Sequence, residues 1–133
     1  MKKHLFIILT LCCQLNAWSS YLLIPMDDAQ SNHLKAYGIA YWVLENKQEV
    51  DWLLNYRGGS FLIKNQSILE KECKIRGVSY QIIADVQSTQ ILREISSPEV
   101  NQDVVKLEKV PKIAVYSPKS KLPWDDAVTL ALT

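Results

Sequence analysis

Apolar and polar positions change period several times along this chain, and each change marks an element. Tyr21 to Ile24 is a short apolar run stopped by Pro25, and it reads as a strand. Asp27-Asp28 follow as N-cap candidates, with Gln30 three residues after Asp27 in the manner of a capping box. From about Ala29 to Glu45, Leu34, Tyr37, Tyr41 and Leu44 recur at steps of three and four, with Ala40 on the same side, and predict a helix whose core stripe is that face. Gly38 inside it is expected to mark a close backbone approach.

From Val50 the period drops to two. Val50, Trp52, Leu54 and Tyr56 alternate with Asp51, Leu53 and Asn55, Arg57-Gly58-Gly59 intervenes, and Ser60 to Lys64 alternates again. A Gly-Gly pair supplies the positive φ angles of a tight primed turn, so the expectation is a hairpin. Ser67 with Glu70 forms a second capping-box pattern, and the helix it opens closes on Lys74, Arg76 and Gly77. Ile68, Leu69, Glu72 and Ile75 make its expected inner side, with Cys73 on the flank. Val78 to Ile83 reads as a strand, and Asp85 caps a helix to about Ile95 that Ser96-Ser97-Pro98 ends.

Strand, helix, hairpin, helix, strand, helix is the order of an α+β protein. It predicts an open α/β sandwich of the split βαβ kind over residues 20–97. Residues 98–111 turn polar and read as a linker, with an edge strand allowed at Val104 to Leu107. Lys112 to Ser117 is a new apolar run, and Trp124-Asp125-Asp126 opens a helix after Pro118 and Pro123. Residues 112–133 therefore read as the first βα unit of a Rossmann-like or flavodoxin-like layer, a truncated second domain, because one such unit cannot bury both faces.

Composition narrows the class. The chain has 133 residues, 48% hydrophobic and 22% charged, with four Gly and five Pro, which excludes disordered and low-complexity classes. Fifteen basic against 14 acidic residues give a formal charge of +1, too little for nucleic-acid binding driven by a basic surface.

The first 19 residues read as a secretory signal peptide. Met1-Lys2-Lys3-His4 is a cationic start, Leu5 to Cys13 an apolar run, and Ala17-Trp18-Ser19 puts small residues at the two positions a signal peptidase reads. The run is too short to span a bilayer permanently, which takes about 20 residues. Leu11 before Cys12 opposes a lipoprotein signal. Removing Lys2 and Lys3 from the 15 basic residues leaves 13 against 14 acidic, a mature net charge of −1. Cys12 and Cys13 leave as well, so Cys73 alone remains and no intramolecular disulfide forms. An exported protein, periplasmic or secreted, is the expectation.

Candidate chemistry is sparse. Asn55, Arg57, Gly58, Gly59 and Ser60 form the densest polar group in an apolar setting: glycine amides beside Arg57 can hold a carboxylate or phosphate. A plain hairpin turn with a solvated Arg57 accounts for the same residues. Ser117 to Lys121 before a helix start lacks the glycines of a phosphate loop, and Asp125-Asp126 oppose an anion there. His33 has no His or Cys at metal-ligand spacing, and Cys73 sits mid-helix as an apolar filler. Asp27-Asp28 and Asp125-Asp126 read as helix caps. No catalytic residue, metal or cofactor is assigned.

The stretches LLIPMDDAQSNHLKAYGIAYW, VDWLLNYRGGSFLI, KECKIRGVSYQII and KIAVYSPKSKLPWDDAVTLALT resemble a group of exported proteins of the Bacteroidetes type described as asparagine synthetase B. The resemblance covers essentially the whole mature chain. It implies continuation into a layer similar to class I glutamine amidotransferases, whose Cys nucleophile sits on a strand-to-helix turn. No residue of this sequence takes that role. A glutamine-dependent asparagine synthetase also uses an N-terminal Cys and an SGGxDS-type ATP loop, whereas this chain has Lys2 and no such loop. Two readings stand: an accessory N-terminal domain, not catalytic alone, of an exported amidotransferase-like protein, or a self-contained periplasmic module binding a small molecule or protein through its hairpin edge.

Overall fold

The computed structural model describes residues 20–112. The expected signal segment and the βα unit after Lys112 lie outside the described residues. The elements run β1 (Ser20–Ile24), α1 (His33–Glu45), β2 (Val50–Leu54), a 3-10 turn (Tyr56–Gly58), β3 (Ser60–Lys64), α2 (Ser67–Arg76), β4 (Gln81–Ala84), α3 (Asp85–Ile95) and β5 (Asp103–Leu107). The fold is α+β, with one five-stranded antiparallel sheet in the order β4-β1-β3-β2-β5.

That order follows from two interleaved crossovers. β1 and β2 both run antiparallel to β3, so they are parallel to each other with β3 between them. β3 and β4 both run antiparallel to β1 and enclose it in the same way. This is the split βαβ arrangement, β-α-β-β-α-β, expected from the element order. Two additions extend it: β5 pairs with β2 along the sheet edge, from Val50↔Leu107 to Leu54↔Asp103, and α3 packs on the opposite face.

The central strands β1 and β3 are buried on both faces, which explains their unusually apolar sequences, while the edge strands β4 and β5 are largely exposed. Leu22, Ile24, Val50, Phe61 and Ile63 join Ile39, Val43, Leu69 and Cys73 of α1 and α2 in one core. Leu23, Leu53, Leu62 and Ile83 meet Ile91, Leu92 and Ile95 of α3 in the other. Adjacent residues of β1 and β3 thus point into different cores, as the two-residue period of a strand requires.

Several local expectations are corrected. α1 begins at His33, not Ala29, because Asn32 is the cap: its Oδ1 accepts from the Lys35 amide at 3.0 Å. Asp27 and Gln30 are engaged elsewhere. The buried face of α1 is Ala36, Ile39, Ala40, Val43 and Leu44, while Leu34 is 84% exposed and Tyr37 and Tyr41 are half-exposed. Small alanines let this face sit close to the sheet, and a helix apolar nearly all round leaves its rotation to packing. Gly38 marks no close backbone approach: a Cβ there would meet only the Arg76 Nη1 atom, at 3.9 Å.

The Ser67–Glu70 capping box does not form. Gln66 is the cap position, and Glu70 instead accepts from Asn65 Nδ2 at 3.0 Å. In α2 the buried residues are Leu69 and Cys73, with Ile68 and Ile75 exposed, so Cys73 faces the core rather than the flank. The stop at Gly77 is as expected, with φ 68° and its amide bonded to the Lys74 carbonyl at 3.2 Å. Asp85 is the first residue of α3, and Gln87 Oε1 reaches back to the Ala84 amide at 3.1 Å.

Candidate functional site

The connection between β2 and β3 is five residues, 55–59, and not a two-residue primed turn. Asn55, Arg57, Gly58 and Gly59 all have positive φ, at 59°, 46°, 81° and 95°. Asparagine tolerates that region, but arginine adopts it only where its surroundings hold it. Two contacts hold Arg57. Its carbonyl accepts from the Met26 amide at 3.1 Å, and its guanidinium grips Asp27, with Nε to Oδ2 at 2.7 Å and Nη2 to Oδ1 at 3.3 Å. The third arm, Nη1, donates to Gln81 Oε1 at 3.2 Å.

Gly58 makes the approach possible. A Cβ at this position would lie 2.3 Å from the Met26 carbonyl oxygen, so no other residue fits without moving the backbone. Trp52 Nε1 donates to the Gly59 carbonyl at 3.1 Å, and the fully buried Ser60 hydroxyl is within donating distance of the Tyr56 and Arg57 carbonyls, at 3.0 and 3.3 Å. Asn55 Nδ2 reaches the Asn101 carbonyl at 2.9 Å and ties the loop to the segment before β5.

Arg57 and Gly58 therefore form a clasp against the β1–α1 loop, braced from within its own hairpin by Gly59 and Ser60, and Asn55 faces the other way, toward Asn101. Electrostatically the clasp is an ion pair. The Arg57 hydrogen bond holds the Asp27 carboxyl below its ordinary 3.8, against the opposing effect of desolvation, and the Ala29 amide adds to the lowering. An incoming carboxylate or phosphate would have to displace Asp27 to use the arginine fork. His33 lies at the rim, its Nε2 3.2 Å from the Met26 carbonyl oxygen.

Two features of this end of the molecule escape sequence reasoning. Gln30 is buried, donating from Nε2 to the carbonyls of Pro25 (3.0 Å) and Ser79 (3.1 Å) and accepting from the Ser79 amide (2.9 Å). Its partner lies 49 residues away, so no local pattern marks it. An apolar groove beside α1 is the second. Its walls include Tyr37, Tyr41, Leu44, Trp52, Phe61 and Leu107, with Tyr37 edge-on to Phe61 at a centroid distance of 5.4 Å. The Tyr37–Tyr41 step of four residues is its one sequence signal.

Cys73 is fully enclosed, and burial, reinforced by the neighbouring Glu72, pushes its thiol up to about 11. A thiol so held is protonated at neutral pH and is no nucleophile. Among the described residues, no cluster of three or more His, Cys, Asp or Glu side chains is placed to hold a metal ion, and no helix is long and apolar enough to cross a membrane.

Comparison with family models, with curated protein sequences and with solved structures returns no match to this chain. The functional reading therefore draws on its residues, its geometry and the motif resemblance.

Proposed function

We propose that residues 20–112 form an accessory, non-catalytic domain of an exported amidotransferase-like protein of the group described as asparagine synthetase B. The observation that carries the non-catalytic part is Cys73. Amide transfer from glutamine needs an activated nucleophile beside a base and an oxyanion hole. Here the mature chain's one thiol is inside the core with its proton held by desolvation and a carboxylate neighbour. The most polar loop is likewise committed, since Arg57 is spent on Asp27. The motif resemblance supports the family part, and the Met1–Ser19 pattern supports export.

The coding sequence downstream of Thr133 tests the reading. An open frame leading to a Cys on a strand-to-helix turn is expected; a stop codon directly after Thr133 overturns it in favour of a self-contained binding module. The apolar groove beside α1 favours that second reading, because it offers a partner an uncovered aromatic wall. For export, protein recovered from outside the cytoplasm should begin at or near Ser20 by intact mass, and retention of Met1 contradicts it.

A further inference from the structure

β1 lies between β4 and β3, and its first residue is Ser20, the residue that cleavage after Ser19 would expose. Ser20 is held from both sides. Its carbonyl accepts from the Asn65 amide at 2.9 Å, its hydroxyl lies 3.2 Å from Asn65 Nδ2, and Ala84 of β4 is its partner in the ladder. The same Nδ2 donates to Glu70 Oε1 at 3.0 Å. One side-chain amide thus brings Ser20 and the Glu70 carboxylate to a common point. Its other end is unused: Asn65 Oδ1 is the one buried side-chain oxygen or nitrogen without a hydrogen-bond partner among the described residues. Turning the amide over would offer Oδ1 to the Ser20 hydroxyl but set it against the Glu70 carboxylate, so a flip does not relieve it. A buried carbonyl oxygen left so costs free energy, and this one calls for a donor.

We propose that this corner seats the mature chain's own α-ammonium group, formed at Ser20 when the signal segment is removed, with Asn65 Oδ1 as its acceptor and Glu70 as its counter-charge. Hydrolysis of the Ser19–Ser20 bond adds the hydroxyl of water to the Ser19 carbonyl carbon and its hydrogen to the Ser20 nitrogen, which takes up one further proton at neutral pH. A neutral amide with one N–H becomes a cation with three. The surrounding charges suit it. Glu70 of α2 is a carboxylate, as is Asp85, which follows Ser20's ladder partner Ala84, while Lys64, next to Asn65, is exposed. The N-terminus of α2 adds about half a positive charge, less than the full negative charge of Glu70. A chain terminus frays unless it is tied down, and seating its charge fixes the start of β1 between β3 and β4. The inference rests on the export reading, because processing after Ser19 is what makes the group.

The test takes residues 20–133 with Ser20 first, freed from a fusion partner by a protease that leaves no added residue. Trace acetylation across a range of pH, read by mass spectrometry of the N-terminal peptide, gives the titration of the α-amine apart from the lysines. In the folded chain that amine is expected to titrate about 0.5 units or more above its ordinary range of about 7.7–8.0, and to return to that range in Glu70→Gln. A chain with one glycine ahead of Ser20, which moves the charge by about 3.8 Å and alters no side chain, should return to it as well and decides the matter should Glu70→Gln fail to fold. An α-amine in the ordinary range in the unmodified folded chain overturns the proposal, since Asn65 Oδ1 is then left to water. A raised value that both variants leave unchanged also overturns it, because another carboxylate then holds the charge. The export reading fails separately, when exported material keeps Met1 by intact mass, and the titration of the chain that begins at Ser20 judges the docking by itself.

Discussion

Arg57 and Asp27, thirty residues apart in the chain, meet through two N–H···O contacts of 2.7 and 3.3 Å and close the β2–β3 loop over the β1–α1 loop. The pair holds a non-glycine residue at φ 46° and brings Gly58 against the Met26 carbonyl. A loop whose composition fits an anion cradle is thereby a clasp between the β2–β3 hairpin and the start of the first crossover.

Acid should open that clasp. The Asp27 carboxyl titrates below its ordinary 3.8 in the folded chain. A lowered folded value contributes stability that is present above 3.8 and lost as pH falls from there through the folded value. Urea midpoints measured across this acid range should fall more steeply in the unmodified chain than in Asp27→Asn. Since the pair is partly exposed, added salt should narrow the difference.

Gly58 and Gly38 should respond in opposite senses to alanine. Gly58→Ala drives a Cβ into the Met26 carbonyl at positive φ, and a loss of about 2 kcal/mol or more is expected. Gly38 lies within α1 with nothing nearer than 3.9 Å to the added carbon, so Gly38→Ala should gain roughly 0.5–1 kcal/mol. Thermal unfolding of the two variants checks both signs.

Cys73 sets an alkaline limit. Its thiol is held at about 11 against an ordinary 9.0. A raised folded value contributes stability that is fully present below 9.0 and lost as pH rises through 9.0 toward about 11. Cys73→Ala should flatten that alkaline decline while costing about 1 kcal/mol at neutral pH. Labelling of Cys73 by a thiol reagent should be slow in the native chain and fast in urea.

The periods of two and three to four marked almost every element because strands and helices here are short and sharply punctuated. Gly77 and Ser96-Ser97-Pro98 stop their helices where expected, and the edge strand allowed at Val104 to Leu107 forms as β5. Helix rotation was less legible. α1 carries apolar residues on nearly every side, so Leu34, Tyr37 and Tyr41 fit a stripe as well as Ala36, Ile39 and Val43 do, and only the sheet decides between them. Caps failed for a related reason. Asp27 has the right side chain for an N-cap, but a guanidinium from another loop claims it, and Asn32 takes the role. For the candidate site, the loop residues were legible from the Gly-Gly pair, whereas their partners Met26, Asp27 and Gln81 depend on contacts across the sheet that no local spacing encodes.

The measurement that bears most directly on a non-catalytic domain is ammonia release from glutamine by the purified full chain, run beside Cys73→Ala. With Cys73, the one thiol among the described residues, buried and protonated, both proteins should release ammonia at the background rate. Release above background by the unmodified chain, abolished in Cys73→Ala, would contradict the account.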